Sequence, residues 1–175
     1  PGPEANADRG PIATSAGLAG RKISLSPGHG LFWNGTGWSW ERPDTCLPLL
    51  REDLHNNEIT RYLNTFLVQD GAITKVYRCL DKDYGNYPTG TPWWQMSASY
   101  WLKEIGYPCS VYAPSTGSCT LGSGSSEVND NIRSRPLAAD YDNTDIHVSF
   151  HTNALSGDCL GMSCPNGTET FYDDV

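Results

Sequence analysis

Lys22-Ile23-Ser24-Leu25-Ser26-Pro27-Gly28-His29-Gly30 is the stretch from which the rest of the chain is read. A short apolar run predicts a strand over 22–26, and Pro27-Gly28 stops it abruptly. The histidine is left on the turn with a glycine on either side. A strand end holds a side chain at a fixed point, and the glycines leave space beside it, which is how a metal ligand is presented. A second histidine, His151, ends the run Ile146-His147-Val148-Ser149-Phe150. Two histidines on two strand ends point to one site between them.

Moving outward, Asp53 to Gln69 carries Leu54, Ile59, Tyr62, Leu63 and Phe66 at helical spacing, with Asp70-Gly71 as its stop. Ala72 to Tyr77 reads as a second strand. Trp93 to Ile105 reads as a helix that starts after Pro92 and stops at Gly106. Residues 107–126, rich in Pro, Ser, Gly and Thr, read as a long loop. Arg135 to Tyr141 reads as a short helix with Pro136 in its first turn. Residues 145–151 are a third strand and 168–172 a fourth. Residues 31–48 are irregular, and their Trp33, Trp38 and Trp40 suit either stacking on a sugar ring or covering the sheet edge.

Strands alternating with helices predict an α/β fold: a single twisted, mostly parallel sheet flanked by helices. Sites in such sheets gather at the C-terminal ends of the strands. His29 and His151 both occupy that position. Residues 1–21, rich in Pro, Gly, Ala and charge, read as a linker or mobile arm, which leaves 22–175 as the domain.

At 175 residues and 38% hydrophobic, the chain can bury a core. Its net charge of −8 argues against nucleic acid as a partner, since that needs a basic face. No apolar run reaches the roughly 20 residues of a membrane span. The chain begins Pro1-Gly2-Pro3 without a signal peptide, as a processed or trimmed product would. None of the six cysteines forms a Cys-x-x-Cys pair, so disulfides of an exported protein are preferred over a zinc-thiolate cluster or free cytosolic thiols. Cys109–Cys119 and Cys159–Cys164 each enclose turn formers, and Cys46–Cys79 follows by elimination.

Zinc in hydrolases takes three protein ligands and keeps a fourth position open. The two histidines need a carboxylate near them, and Leu50-Arg51-Glu52-Asp53-Leu54-His55-Asn56-Asn57-Glu58 offers several. Glu52 sits at the mouth of the long helix, where a carboxylate also suits the helix dipole. Glu58 lies further along and points elsewhere. His55 is the rival.

Together, Pro27-Gly28-His29-Gly30, then Arg51-Glu52 with Asn56, then Ser149-Phe150-His151-Thr152-Asn153-Ala154 resemble the zinc-dependent N-acetylmuramoyl-L-alanine amidases of the amidase-3 family. Arg135 matches a family arginine upstream of the second histidine, and Gly167-Thr168-Glu169-Thr170-Phe171-Tyr172 resembles the strand that follows it. The resemblance covers about residues 22–173, with the motifs in order.

The resemblance implies that His29, Glu52 and His151 hold Zn2+ and that Arg135 and Asn153 contact substrate. The reaction implied is hydrolysis of the amide between N-acetylmuramic acid and L-alanine in peptidoglycan. The protein would be secreted, periplasmic or cell-wall associated. Ser26 stands where the family has Asp, and Leu31 where it has a second Gly. The family's general base is a glutamate in a Val-Glu-x-Gly-Phe segment, which does not occur before Val175. Either a second chain supplies that segment, or the base is different and Glu169 is the in-chain substitute. The competing function is a catalytically inactive peptidoglycan-binding or regulatory module of the same fold.

Overall fold

The computed structural model describes residues 17–42, 51–115, 119–122 and 126–151. The expected strand at 168–172, most of the expected arm, Asn153, Glu169, Cys46, Cys159 and Cys164 lie outside these residues.

In chain order the elements are β1 (Lys22–Pro27), β2 (Leu31–Trp33), β3 (Trp38–Trp40), α1 (Glu52–Gln69), β4 (Ile73–Val76), a 3-10 turn (Trp93–Gln95), α2 (Ala98–Glu104), α3 (Cys109–Tyr112), α4 (Glu127–Asp142) and β5 (Ile146–Phe150). The main sheet is parallel, in the order β4-β1-β5, as the α/β reading requires. The central strand β1 is buried from Ile23 to Pro27, which explains its unbroken run. Its alternate residues serve two layers. Ile23 and Leu25 pack with Ala72, Leu63 and Leu67 from the α1 side. Ser24 and Ser26 instead meet His147 of β5. A second apolar cluster joins Ala98, Leu102, Val111, Tyr112, Ala138 and Ala139 across α2, α3 and α4.

Several boundaries differ from the sequence reading. The helix expected over 93–105 is interrupted. Met96 and Ser97 are extended, because the Ser97 amide donates to the Leu31 carbonyl and the Met96 carbonyl accepts from Arg78 Nε. The helix expected from Arg135 begins at Glu127, which puts Pro136 inside it. Its early turns are held by tertiary bonds rather than by propensity. Glu127 Oε2 accepts from Tyr100 Oη at 2.5 Å, Asp130 Oδ1 from the Ser115 amide at 2.6 Å, and Asn131 Oδ1 from the Ala98 amide at 2.9 Å. The irregular 31–48 stretch contains the antiparallel hairpin β2–β3. The 107–126 loop contains α3.

Part of the apolar stripe on α1 faces solvent. Ile59, Tyr62 and Phe66 are exposed, and the residues α1 buries are Glu52, Asp53, Asn56, Asn57 and Thr60. Trp38 and Trp40 of the hairpin pack with Trp94 and Trp101 around Leu31, Trp93, Met96 and Tyr100.

Cys109 and Cys119 form the expected disulfide. Among the described residues Cys79 is a free, buried thiol whose Sγ donates to the Asp81 carbonyl at 3.3 Å, and its expected partner Cys46 lies outside them. Among the described residues no helix is long and apolar enough to cross a membrane.

Candidate metal centre

The parallel pairing of β1 with β5 sets Pro27 opposite Phe150, and the Gly28 amide donates to the Phe150 carbonyl at 2.8 Å. The residues that follow, His29 and His151, therefore emerge side by side, with ring centroids 4.7 Å apart. This close approach is what requires glycine at 28. A Cβ there would lie 2.5 Å from His151 Cε1 and 2.6 Å from the Phe150 carbonyl oxygen. His29 itself has φ +63°, a left-handed conformation that costs an L residue about 1 kcal/mol. The turn is held by the Asp53 carboxylate, which accepts from the Gly30 amide at 2.7 Å.

α1 starts at Glu52, which brings that carboxylate to the same point. His29 Nε2 lies 3.0 Å from Glu52 Oε1 and 3.1 Å from His151 Nδ1, and His151 Nδ1 lies 3.7 Å from Glu52 Oε1. In a tetrahedral zinc site with bonds of about 2.0–2.1 Å, neighbouring ligand atoms are roughly 3.3 Å apart. The three donor atoms thus already have the spacing of one tetrahedral face. His29, Glu52 and His151 form a group able to hold a metal ion. His29 and Glu52 are buried, while the His151 side chain is 38% exposed and opens the site to solvent.

The other carboxylates and histidines weighed as ligands stand elsewhere. Glu58 is exposed and pairs with Lys82, and Asp53 is spent on the turn. His55 is not in the group. His147 lies inside the sheet, with Nδ1 2.9 Å from Ser24 Oγ and Nε2 3.3 Å from Ser26 Oγ. Burial, reinforced by the charge of Arg135, pushes its pKa down to about 4, so it is neutral. Ser26, at the position where the resemblance expects an aspartate, serves His147.

Arg135 is buried, and its Nη1 lies 3.0 Å from His151 Nε2 and 3.3 Å from Ser149 Oγ, while Nε donates to the Asn131 carbonyl. Its present partner is thus a site histidine. Arg42, half-exposed, stands at the rim, with Nε 3.3 Å from His29 Nε2 and 3.8 Å from Glu52 Oε2.

Arg42 and two buried residues of the site escaped the sequence reading. Glu41, at the end of the hairpin, places Oε1 3.0 Å from His29 Nδ1. Burial alone would depress the His29 pKa, but the Glu41 and Glu52 carboxylates outweigh it and raise it. Burial likewise opposes the charge on Glu41, and His29, Arg135 and Asn131 overcome that and lower its pKa. The other residue is Arg78, fully buried, which donates to the carbonyls of Gly28, Asp53, Trp94 and Met96. It ties the His29 turn, the start of α1 and the 93–96 turn together. No local pattern marked either residue. The only hint for Glu41 was an acidic residue in an aromatic insertion, and for Arg78 a charge directly after an apolar strand.

Comparison with known proteins gives no match among family models, curated proteins or solved structures.

Proposed function

We propose that this chain is a zinc-dependent amidase that hydrolyses the bond between N-acetylmuramic acid and L-alanine in peptidoglycan, with residues 22–175 as catalytic domain and 1–21 as arm. The observation that carries this reading is the convergence of His29, Glu52 and His151 at zinc-like spacing on the ends of adjacent parallel strands. These are the residues that the resemblance to the amidase-3 family names as ligands. Two imidazoles and one carboxylate are a donor set that suits Zn2+.

When bound, zinc supplies Lewis acidity, polarising a carbonyl and lowering the pKa of water. The chain's own residues supply the rest. Glu52 brings the negative charge and is kept dry by burial. The Asn56 side chain donates to its Oε1 at 3.4 Å and helps fix its orientation. His151 leaves one side open for substrate, and Arg42 offers positive charge at that rim. Arg135 and Asn153 are the proposed substrate contacts. Glu169, or a glutamate on a second chain, is the proposed base. The Cys109–Cys119 disulfide favours a secreted, periplasmic or wall-associated location.

Purified sacculi test the reading. Incubated with the zinc-loaded chain, alone and with a C-terminal partner segment added, they release stem peptides that begin with a free L-alanine amine, and a chelator stops the release. One zinc per chain without any release would instead favour the inactive wall-binding module.

A further inference from the structure

We infer that Glu41, carried in by the β2–β3 hairpin, is the residue that orients the His29 ring for metal binding. The inference rests on the metal-site reading above and adds to it the group behind the ligand. An imidazole that gives a metal its Nε2 lone pair must carry its proton on Nδ1, and a carboxylate facing Nδ1 stabilises that tautomer and aims the ring.

Three observations lead to Glu41. First, its Oε1 is 3.0 Å from His29 Nδ1, on the edge of the ring away from Glu52 and His151. The contact is a close charge pair without hydrogen-bond alignment, which a small turn of the ring would supply. Second, Glu52 Oε1, His151 Nδ1 and Arg42 Nε all gather on His29 Nε2, so Glu41 is the carboxylate left to the Nδ1 edge. Third, Glu41 is itself held in place. The Asn131 side chain donates to its Oε2 at 2.5 Å, and the Glu41 amide donates to the Gly30 carbonyl at 3.3 Å. Asn131 in turn is fixed by the Ala98 amide. A buried carboxylate braced from α4 and from the His29 turn is a preformed support.

This also gives the aromatic hairpin a purpose. Trp38 and Trp40 anchor β3 in the aromatic cluster, and β3 ends one residue before Glu41.

Glu41 is a positioning residue, and the test reads metal affinity and the His29 Nδ1 proton rather than turnover. Zinc titration by calorimetry with the full 175-residue chain is compared for the unchanged protein, E41Q, E41A and E52A. Loss of an outer support of this kind typically weakens a metal site tenfold to a hundredfold. E41A is expected in that range, E41Q between it and the unchanged chain, and E52A below detection. In parallel, 15N imidazole spectra of the zinc-loaded protein should show the His29 Nδ1 proton facing Glu41, with its resonance moved upfield in E41Q. If E41A does not fold, E41Q alone decides, since it keeps the shape and loses the charge. Zinc affinity within twofold of the unchanged chain, together with an unmoved His29 Nδ1 proton resonance, overturns the role of Glu41 and leaves the metal site standing. If E52A binds zinc as well as the unchanged chain, the metal site itself fails and the role of Glu41 goes with it.

Discussion

Around the C-terminal ends of β1 and β5 the buried side chains are polar. Asp53, Asn56, Asn57, Arg78, Asn131 and Arg135 are all buried there. A helix layer away the buried side chains are Ala98, Leu102, Val111 and Ala138. The apolar layer gains by removing surface from water and tolerates substitutions of similar shape. The polar end gains only while every group keeps its partner, because an unpaired buried charge costs several kcal/mol. Order of this kind suits a site whose donor atoms must be held within tenths of an ångström. It also concentrates risk, since one guanidinium, that of Arg78, spans three separate segments.

Breaking that hub should have the largest effect. Arg78→Met fills the volume but leaves the carbonyls of Gly28, Asp53 and Met96 without their donor and the Asp53 carboxylate without its nearby cation. We expect a loss of about 4 kcal/mol in urea denaturation, with the His29 turn loosened. A cost under about 1 kcal/mol would show that the polar end packs as permissively as the apolar layer.

A smaller effect should come from pH. His147 has a folded pKa of about 4 against 6.5 for an ordinary histidine, so the unfolded chain binds the extra proton between those values. Its contribution to stability is complete above pH 6.5 and is lost as pH falls towards 4. We expect about 2 kcal/mol, discounted from the full shift because the ring is only partly enclosed. His29 acts with the opposite sign. Its raised pKa gives the metal-free chain stability that is complete below pH 6.5 and lost as pH rises through the folded value. Thermal melts from pH 4 to 6.5 on the unchanged chain and His147→Gln check the first term. A slope that does not shrink in the variant would place the acid sensitivity elsewhere.

The same contrast explains what could be read from the sequence. The strand at 22–26, the helix from Asp53 and the strand at 145–151 follow from local pattern, and those elements carry His29, Glu52 and His151 to one place. The break at Met96-Ser97 and the early start of α4 come from tertiary hydrogen bonds, which override propensity and leave no periodic mark. Glu127-Val128-Asn129-Asp130-Asn131 is a weak helix former on its own, yet Tyr100, Ser115 and Ala98 hold it. The apolar spacing identified the helix, but only part of it turns inward: Leu63 packs on β1, while Ile59, Tyr62 and Phe66 are exposed and Asn56, Asn57 and Thr60 are buried. Glu41 and Arg78 were out of reach for the same reason. A buried polar group is identified by its partners, and those are distant in sequence.

The central claim is that one metal ion binds between the two strand ends and the mouth of α1. Metal content by mass spectrometry, after zinc loading and exhaustive dialysis of the 175-residue chain, tests it most directly. The account predicts one zinc per chain, retained in His55→Ala and lost in Glu52→Ala. Zinc retained at one per chain in Glu52→Ala, or lost in His55→Ala alone, would contradict it.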